Sequence, residues 1–397
     1  MTLFVERRRP MFSAELAARV TLAWTMIAAL LLVTNLPGIL AHDTPAAGES
    51  VRLVAALRPL LGSSAATWAA LILAPLILLF ACLILIGRIA GRIMGDEVAL
   101  LACLAFAFCV PVIEHFRPMQ IDHYGGQIAC VLLAMNGLMA RSARVGGWLV
   151  GSALALGLSI SIEGLPLAVA VLGVLAGRWL GNRAERQWLV SSLQALAAST
   201  AVLLLLGGGA PGVIAACNAI SLMHLAMFAW GAAVVTVCSA LGPQPRLIVS
   251  TGFALVVGGA LAIVSQMAPQ CLANGPDSAL PIWQQPIPTV VQMVLPPAIA
   301  IWAATKMAGR ASSWLRGWWL QYAVLLSAAF VISIFDSRAG AVAGALAAIP
   351  LGWQVREWLR RVRRVRRPAK RALGYGSVVF ALVPAAPAFL LATAMTG

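Results

Sequence analysis

Long apolar runs recur from one end of this chain to the other. Many approach or exceed the ~20 residues that a helix needs to cross a bilayer. In lipid every backbone N–H and C=O must be satisfied within the segment or by a closed barrel. The runs are continuous and rich in Leu and Ala rather than alternating, which excludes a β-barrel and leaves helices. With 61% hydrophobic and 10% charged residues and a mean hydropathy of +0.92, a soluble domain is excluded as well. The expected fold is therefore all-α: a polytopic transmembrane helical bundle forming one domain over 1–397.

Thirteen spans are expected, near 18–41, 65–87, 97–113, 125–140, 146–162, 164–181, 188–207, 213–241, 248–266, 289–308, 317–335, 339–355 and 373–395. The first has no small-residue cleavage site and reads as a true span. The early part of the eighth, around Asn218 to His224, reads as loop or interface, and Pro296 and Pro297 predict a kink or break in the tenth. Gly147-x-x-x-Gly151 has the spacing of a helix-packing face.

The net charge of +15 would suggest nucleic acid in a soluble protein. Here it follows from topology. Arg7–Arg9, Arg88, Arg92, Arg141, Arg144, Arg178, Arg183, Arg186, Arg246, Lys306, Arg310 and Arg316 all fall on one side of the thirteen-span arrangement. So does a cytoplasmic polybasic loop, 354–372, which could also meet anionic lipid heads. The positive-inside rule makes that side cytoplasmic, N-in and C-out. The expected partners are membrane lipids and other membrane proteins, with no nucleic acid.

The ionisable residues that can do chemistry gather on the other side. Walker A, H-E-x-x-H and G-x-S-x-G motifs are absent and the chain has only two Lys, so nucleotide-driven chemistry has no support. The stretch Glu114-His115-Phe116-Arg117-Pro118-Met119-Gln120-Ile121-Asp122-His123-Tyr124-Gly125-Gly126-Gln127 joins spans three and four. Its carboxylates and imidazoles at a helix start suit a divalent metal, a phosphate or proton transfer. Equally, Asp122 is a helix cap and Arg117 a headgroup contact.

Glu163 stands at a tight outer turn in apolar surroundings, where a carboxylate needs a partner or water. Arg338, in Phe335-Asp336-Ser337-Arg338, is on the wrong side for topology. Phosphate recognition and an ion pair with Asp336 are both open. Asp43 and Glu49 follow span one and read either as loop residues or as further acids of the same site. Cys217 and Cys271 lie in outer loops, where an oxidising compartment permits a disulfide; their meeting is open at this level.

Phe116-Arg117-Pro118-x-x-Ile121-Asp122-His123 resembles the (F/A)RPGRIDHH stretch of bacterial multi-spanning GT-C glycosyltransferases related to the oligosaccharyltransferase catalytic subunit, and Ser161-Ile162-Glu163-Gly164-Leu165-Pro166 is similar to a segment of theirs. The resemblance implies a GT-C-like membrane protein of a bacterial inner membrane, its site facing the periplasm. It would transfer a sugar from a polyprenyl-phosphate- or pyrophosphate-linked donor. Asp122, His123 and Glu163 would be catalytic. Arg338, Arg117 and Tyr124 would bind substrate. A divalent metal, Mg or Mn, would sit on Asp43, Glu49 and Asp122. The sequence departs from the pattern at Tyr124, which replaces a second His, in its short first outer loop, and in having no soluble domain after span thirteen. A non-catalytic subunit that binds a lipid-linked glycan is the alternative. A secondary transporter ranks last, since no inverted repeat is visible.

Overall fold

A computed structural model describes residues 14–41, 63–119, 123–206, 216–217, 219–241, 246–273 and 280–383. Among them there is no strand. A helix occupies each of the thirteen predicted segments: α1 Ala14–Ala41, α2 Ser63–Met94, α3 Asp96–Phe108, α4 His123–Gly137, α5 Ala143–Ile160, α6 Leu165–Gly181, α7 Arg186–Leu206, α8 Leu222–Ala240, α9 Arg246–Met267, α10 Ile287–Arg310, α11 Ser313–Phe335, α12 Gly340–Arg363 and α13 Pro368–Leu382. Nine helices of the described residues are long and apolar enough to cross a membrane. A tenth span results if α3 is joined to the bent segment that follows it. The polybasic block 354–372 is mostly helical: it forms the end of α12, a short turn and the start of α13.

The chain divides into two compact units, 1–129 with 280–397 and 130–279, the division falling within α4. The first unit is built around α12, whose residues from Gly340 to Val355 are all buried. Lipid tails are as apolar as Leu, so helix association here rests on close packing and interhelical hydrogen bonds. Small residues provide the closeness. A Cβ on Gly352 would lie 2.6 Å from the Ala102 backbone nitrogen of α3. On α1, Leu16, Val20, Ala23 and Leu31 face inward while Leu22, Met26, Leu30 and Val33 are exposed, as expected of one buried helical stripe and one lipid-facing stripe. Leu16 and Val20 sit against Gly91 and Gly87 of α2.

Prolines inside these helices are accommodated by donors from elsewhere. Pro350 removes the N–H that would bond the Leu346 carbonyl, and the Tyr322 hydroxyl donates to that oxygen at 2.5 Å. α10 runs through Pro296 and Pro297 as one continuous helix, so no break occurs there. The interruption comes instead at Cys109. Pro111 has no N–H for the Ala107 carbonyl, and in a straight helix its ring would collide with that carbonyl. The helix stops at Phe108, Cys109 turns extended (φ −77°, ψ 98°), and a new helical segment begins at Val110 with Pro111 in its first turn. The two pieces are bent by 74°. Gly344 of α12 makes room for the bend, since a Cβ there would meet Cys109 Sγ at 2.6 Å and Val112 at 3.0 Å.

The second unit has a seam of small and hydroxyl residues between α5 and α7. Cβ atoms at Gly146, Gly147 and Gly151 would run into Trp188, Ser191 and the Ser192 carbonyl. The Gly147-x-x-x-Gly151 spacing is therefore a packing face. Ser191 Oγ donates to the Ala143 carbonyl at 3.1 Å, and the hydroxyls of Ser152 and Ser199 are 3.0 Å apart. α8 begins at Leu222, after a non-helical stretch, with Ser221 Oγ 2.9 Å from His224 Nδ1. Cys217 and Cys271 are joined in a disulfide, Cα atoms 5.4 Å apart.

Candidate functional site

A cavity of about 220 Å³ opens in the first unit among Val110, Pro111, Glu114, His115, Gln285, Pro288, Thr289, Gln292, Met293, Ser337, Arg338 and Ala341. Three chain segments make it, and each is there for a reason visible in the sequence. The break at Cys109 redirects 110–116, which carries Glu114 and His115 into the wall. α10 starts after Pro286, and its first turns contribute Pro288, Thr289 and Gln292. The turn Asp336–Ala339 precedes α12 and contributes Ser337 and Arg338.

The Arg338 turn is fastened at three points. The Arg338 N–H donates to Asp336 Oδ1 at 3.1 Å, the Ser337 N–H to the Leu280 carbonyl at 3.1 Å, and Gln285 Nε2 to Ser337 Oγ at 3.1 Å. The Asp336 side chain thus caps the turn by accepting from the backbone two residues on, which is the local bond that its residue type favours.

The electrostatics of this cavity suit an anion. Two long helices, α10 and α12, begin at its wall, and their N-termini carry partial positive charge. Arg338 adds a full positive charge. Glu114 is the one acid in the wall, and Arg117 pairs with it at 3.3 Å. Both side chains of that pair are about half exposed, at 45% and 48%, so it contributes little to stability.

Behind Glu114 the aromatic rings are stacked. The His115 and Tyr124 centroids are 5.2 Å apart, and those of His123 and Tyr124 are 4.4 Å apart. Tyr124 is buried, at 6% exposure. Gly125 fits because a Cβ there would crowd the His115 carbonyl at 3.2 Å and Phe116 at 3.3 Å. Glu114, His115 and Arg338 therefore line this cavity, Arg117 pairs with Glu114, and His123 and Tyr124 join the ring cluster that includes His115.

Met119 closes the stretch in the left-handed region, φ 69°. A residue with a Cβ loses roughly 1–2 kcal/mol there. The Met119 N–H donates to the Leu71 carbonyl of α2 at 3.2 Å. That carbonyl lacks its helical donor because Pro75 stands four residues on. An unmet buried carbonyl costs about 1–3 kcal/mol, enough to offset the strain. Met119 occupies the position of the glycine in the stretch that the sequence resembles.

Of the remaining predicted residues, Glu163 belongs to the second unit. It is exposed, in a short turn between α5 and α6 where its N–H donates to Ser161 Oγ at 3.4 Å. Asp43, Glu49 and Asp122 lie outside the described residues. Among the described residues no three His, Cys, Asp or Glu side chains gather as a metal site. The described wall supplies Glu114 and His115 alone, a set that does not by itself fit a divalent metal. Sequence reasoning missed Gln285, Thr289, Gln292 and Ser337. They are uncharged, and Gln285, Thr289 and Gln292 are far in the chain from Ser337 and from 110–115, so no local pattern pointed to them.

No protein-family model matches the sequence, and no curated protein matches it either. Solved structures do match. The apo form of the Archaeoglobus fulgidus oligosaccharyltransferase superposes with a TM-score of 0.60 at 15% identity, over 85% of this chain and 46% of that one. The archaeal oligosaccharyltransferase AglB from Archaeoglobus fulgidus, in complex with an inhibitory peptide and a dolichol-phosphate, gives 0.56 at 14% identity, over 85% and 47%. The enzyme tethered to an acceptor peptide containing the NVT sequon gives 0.54 at 16%, over 85% and 44%. The chain thus has an oligosaccharyltransferase-like GT-C membrane fold. It spans less than half the length of the chains it matches, so what is shared is the fold.

Proposed function

We propose that this chain is a GT-C-like membrane glycosyltransferase, and that the cavity of its first unit holds the phosphate of a polyprenyl-phosphate- or pyrophosphate-linked sugar donor at the outer face. One observation carries the reading: Arg338 and the starts of α10 and α12 meet at one wall, where Glu114, the one acid among the described lining residues, is paired with Arg117. Guanidinium matches phosphate in geometry and charge, and helix N-termini add partial positive charge. The Arg338 turn is held by its own Asp336 and by Gln285, so the guanidinium starts from a fixed base.

In the transfer, the bond between the sugar's anomeric carbon and the phosphate oxygen breaks while an acceptor nucleophile bonds that carbon. Arg338 stabilises the charge growing on the departing phosphate. Asp122, supported by His123, takes the acceptor's proton. Glu163 is proposed as a further carboxylate that orients the acceptor. A divalent metal, if bound, would offset phosphate charge. Its ligands would have to come from Asp43, Glu49 or Asp122, and no step here depends on it. The disulfide in the second unit supports placement of that side in an oxidising compartment.

A second reading is a non-catalytic subunit that binds the same lipid-linked glycan. Tyr124 favours it: where the family stretch has a second His, a buried ring packs between two imidazoles. The two readings separate in lipid nanodiscs. Arg338→Ala should weaken polyprenyl-phosphate binding at least tenfold, with partial recovery in Arg338→Lys. Asp122→Ala should retain binding and lose sugar transfer. Unchanged binding in Arg338→Ala would remove the site, and full transfer in Asp122→Ala would remove the catalytic assignment.

A further inference from the structure

The Pro75 side chain has no polar atom to offer a substrate, yet it stands one hydrogen bond from the stretch that supplies Glu114, His115 and Arg117. Inside α2 it deletes the donor for the Leu71 carbonyl. That carbonyl is taken by the Met119 N–H, and Met119 holds a backbone conformation that residues other than Gly rarely adopt. Strained residues persist where their surroundings fix them, and they cluster at functional sites. Two residues before Met119 is Arg117, the partner of Glu114. Four residues after it, His123 opens α4 and the ring stack with Tyr124 and His115.

We infer that Pro75 is a positioning residue of the outer-face site: by freeing the Leu71 carbonyl it leaves the acceptor that pins Met119, two residues after Arg117. The inference rests on the phosphate-binding reading for its functional half and on the Met119 hydrogen bond for its structural half. A helix with Ala at position 75 would have its own donor for Leu71. The Met119 N–H would then lose its acceptor, and nothing would hold the left-handed turn. Pro350 provides an internal comparison, because its freed carbonyl is served by the Tyr322 hydroxyl, a pin that involves no residue of the cavity wall other than by way of α12 itself.

The test pairs amide hydrogen exchange with binding of a polyprenyl phosphate in nanodiscs, for the wild type, Pro75→Ala and Pro350→Ala. In Pro75→Ala the Met119 amide should exchange at least tenfold faster, the amide introduced at position 75 should be protected, and the dissociation constant should rise about tenfold. Pro350→Ala should leave Met119 exchange and binding within about twofold of wild type. Unchanged Met119 protection in Pro75→Ala overturns the pin. Lost protection with unchanged binding overturns its role in the site. A wild type that binds no polyprenyl phosphate removes the functional reading itself, and the exchange data then show separately whether the pin exists. Since Ala favours a helix more than Pro does, protection along α2 in Pro75→Ala reports directly that the variant is folded.

Discussion

In the second unit, α5 and α7 are brought together by glycines that leave no space for a side chain, and a disulfide ties residue 217 to residue 271. In the first unit the interior helices carry prolines, and the carbonyls freed by two of them accept bonds from Met119 and Tyr322. Both arrangements satisfy a membrane helix, but they leave different things behind. A glycine seam is close, with hydroxyls bonding inside it. A helix that stops at a proline, as at Pro111, leaves irregular backbone, which is tolerated at membrane depth only where protein covers it or a cavity opens. The cavity with Arg338 lies in the unit built the second way, at the break that Pro111 makes.

The comparison can be broken at each element. Removing the disulfide with Cys217→Ser and Cys271→Ser should have the largest effect on stability. The sequence separation is 54 residues, for which loop closure predicts about 4 kcal/mol. Thermal melts resolved by exchange should show the loss in 130–279 alone; a loss spread over both units would mean that they are not separately stable. Gly151→Leu comes next, at about 3 kcal/mol, because its Cβ would meet the Ser192 carbonyl, the Ala195 Cβ and the Leu196 nitrogen. Ala at the same position should cost less. If Leu is tolerated without loss, the seam is looser than described. Tyr322→Phe is the smallest, about 2 kcal/mol, since it orphans a buried carbonyl that Pro350 has already deprived of its donor. A neutral result in denaturant titration would mean that another donor reaches Leu346.

Much of this was legible in the sequence. Hydropathy located the long helices: the run read as 248–266 is Arg246–Met267, and that read as 289–308 is Ile287–Arg310. Topology alone singled out Arg338 as a cation on the wrong side, and it does line the cavity. Proline was the harder signal. Pro296 and Pro297 suggested an interruption and α10 continues, whereas Pro111 passed as an ordinary residue of span three and marks the bend. The outcome at each proline depends on what the surroundings offer the freed carbonyl or the bent chain, and those are long-range contacts. Leu71 and Met119 are 48 positions apart, and no local pattern joins them. The same holds for Gln285 and Ser337.

The central claim is that the cavity of the first unit receives a lipid-linked phosphate. It is tested most directly by photolabelling the protein in nanodiscs with a polyprenyl phosphate that carries a photoreactive group next to the phosphate, followed by peptide mapping. Labels should fall on 110–115, 285–293 and 337–341, and should be lost in Arg338→Ala. Labelling confined to the basic block at 356–371, or labelling of the cavity wall that Arg338→Ala leaves intact, would contradict it.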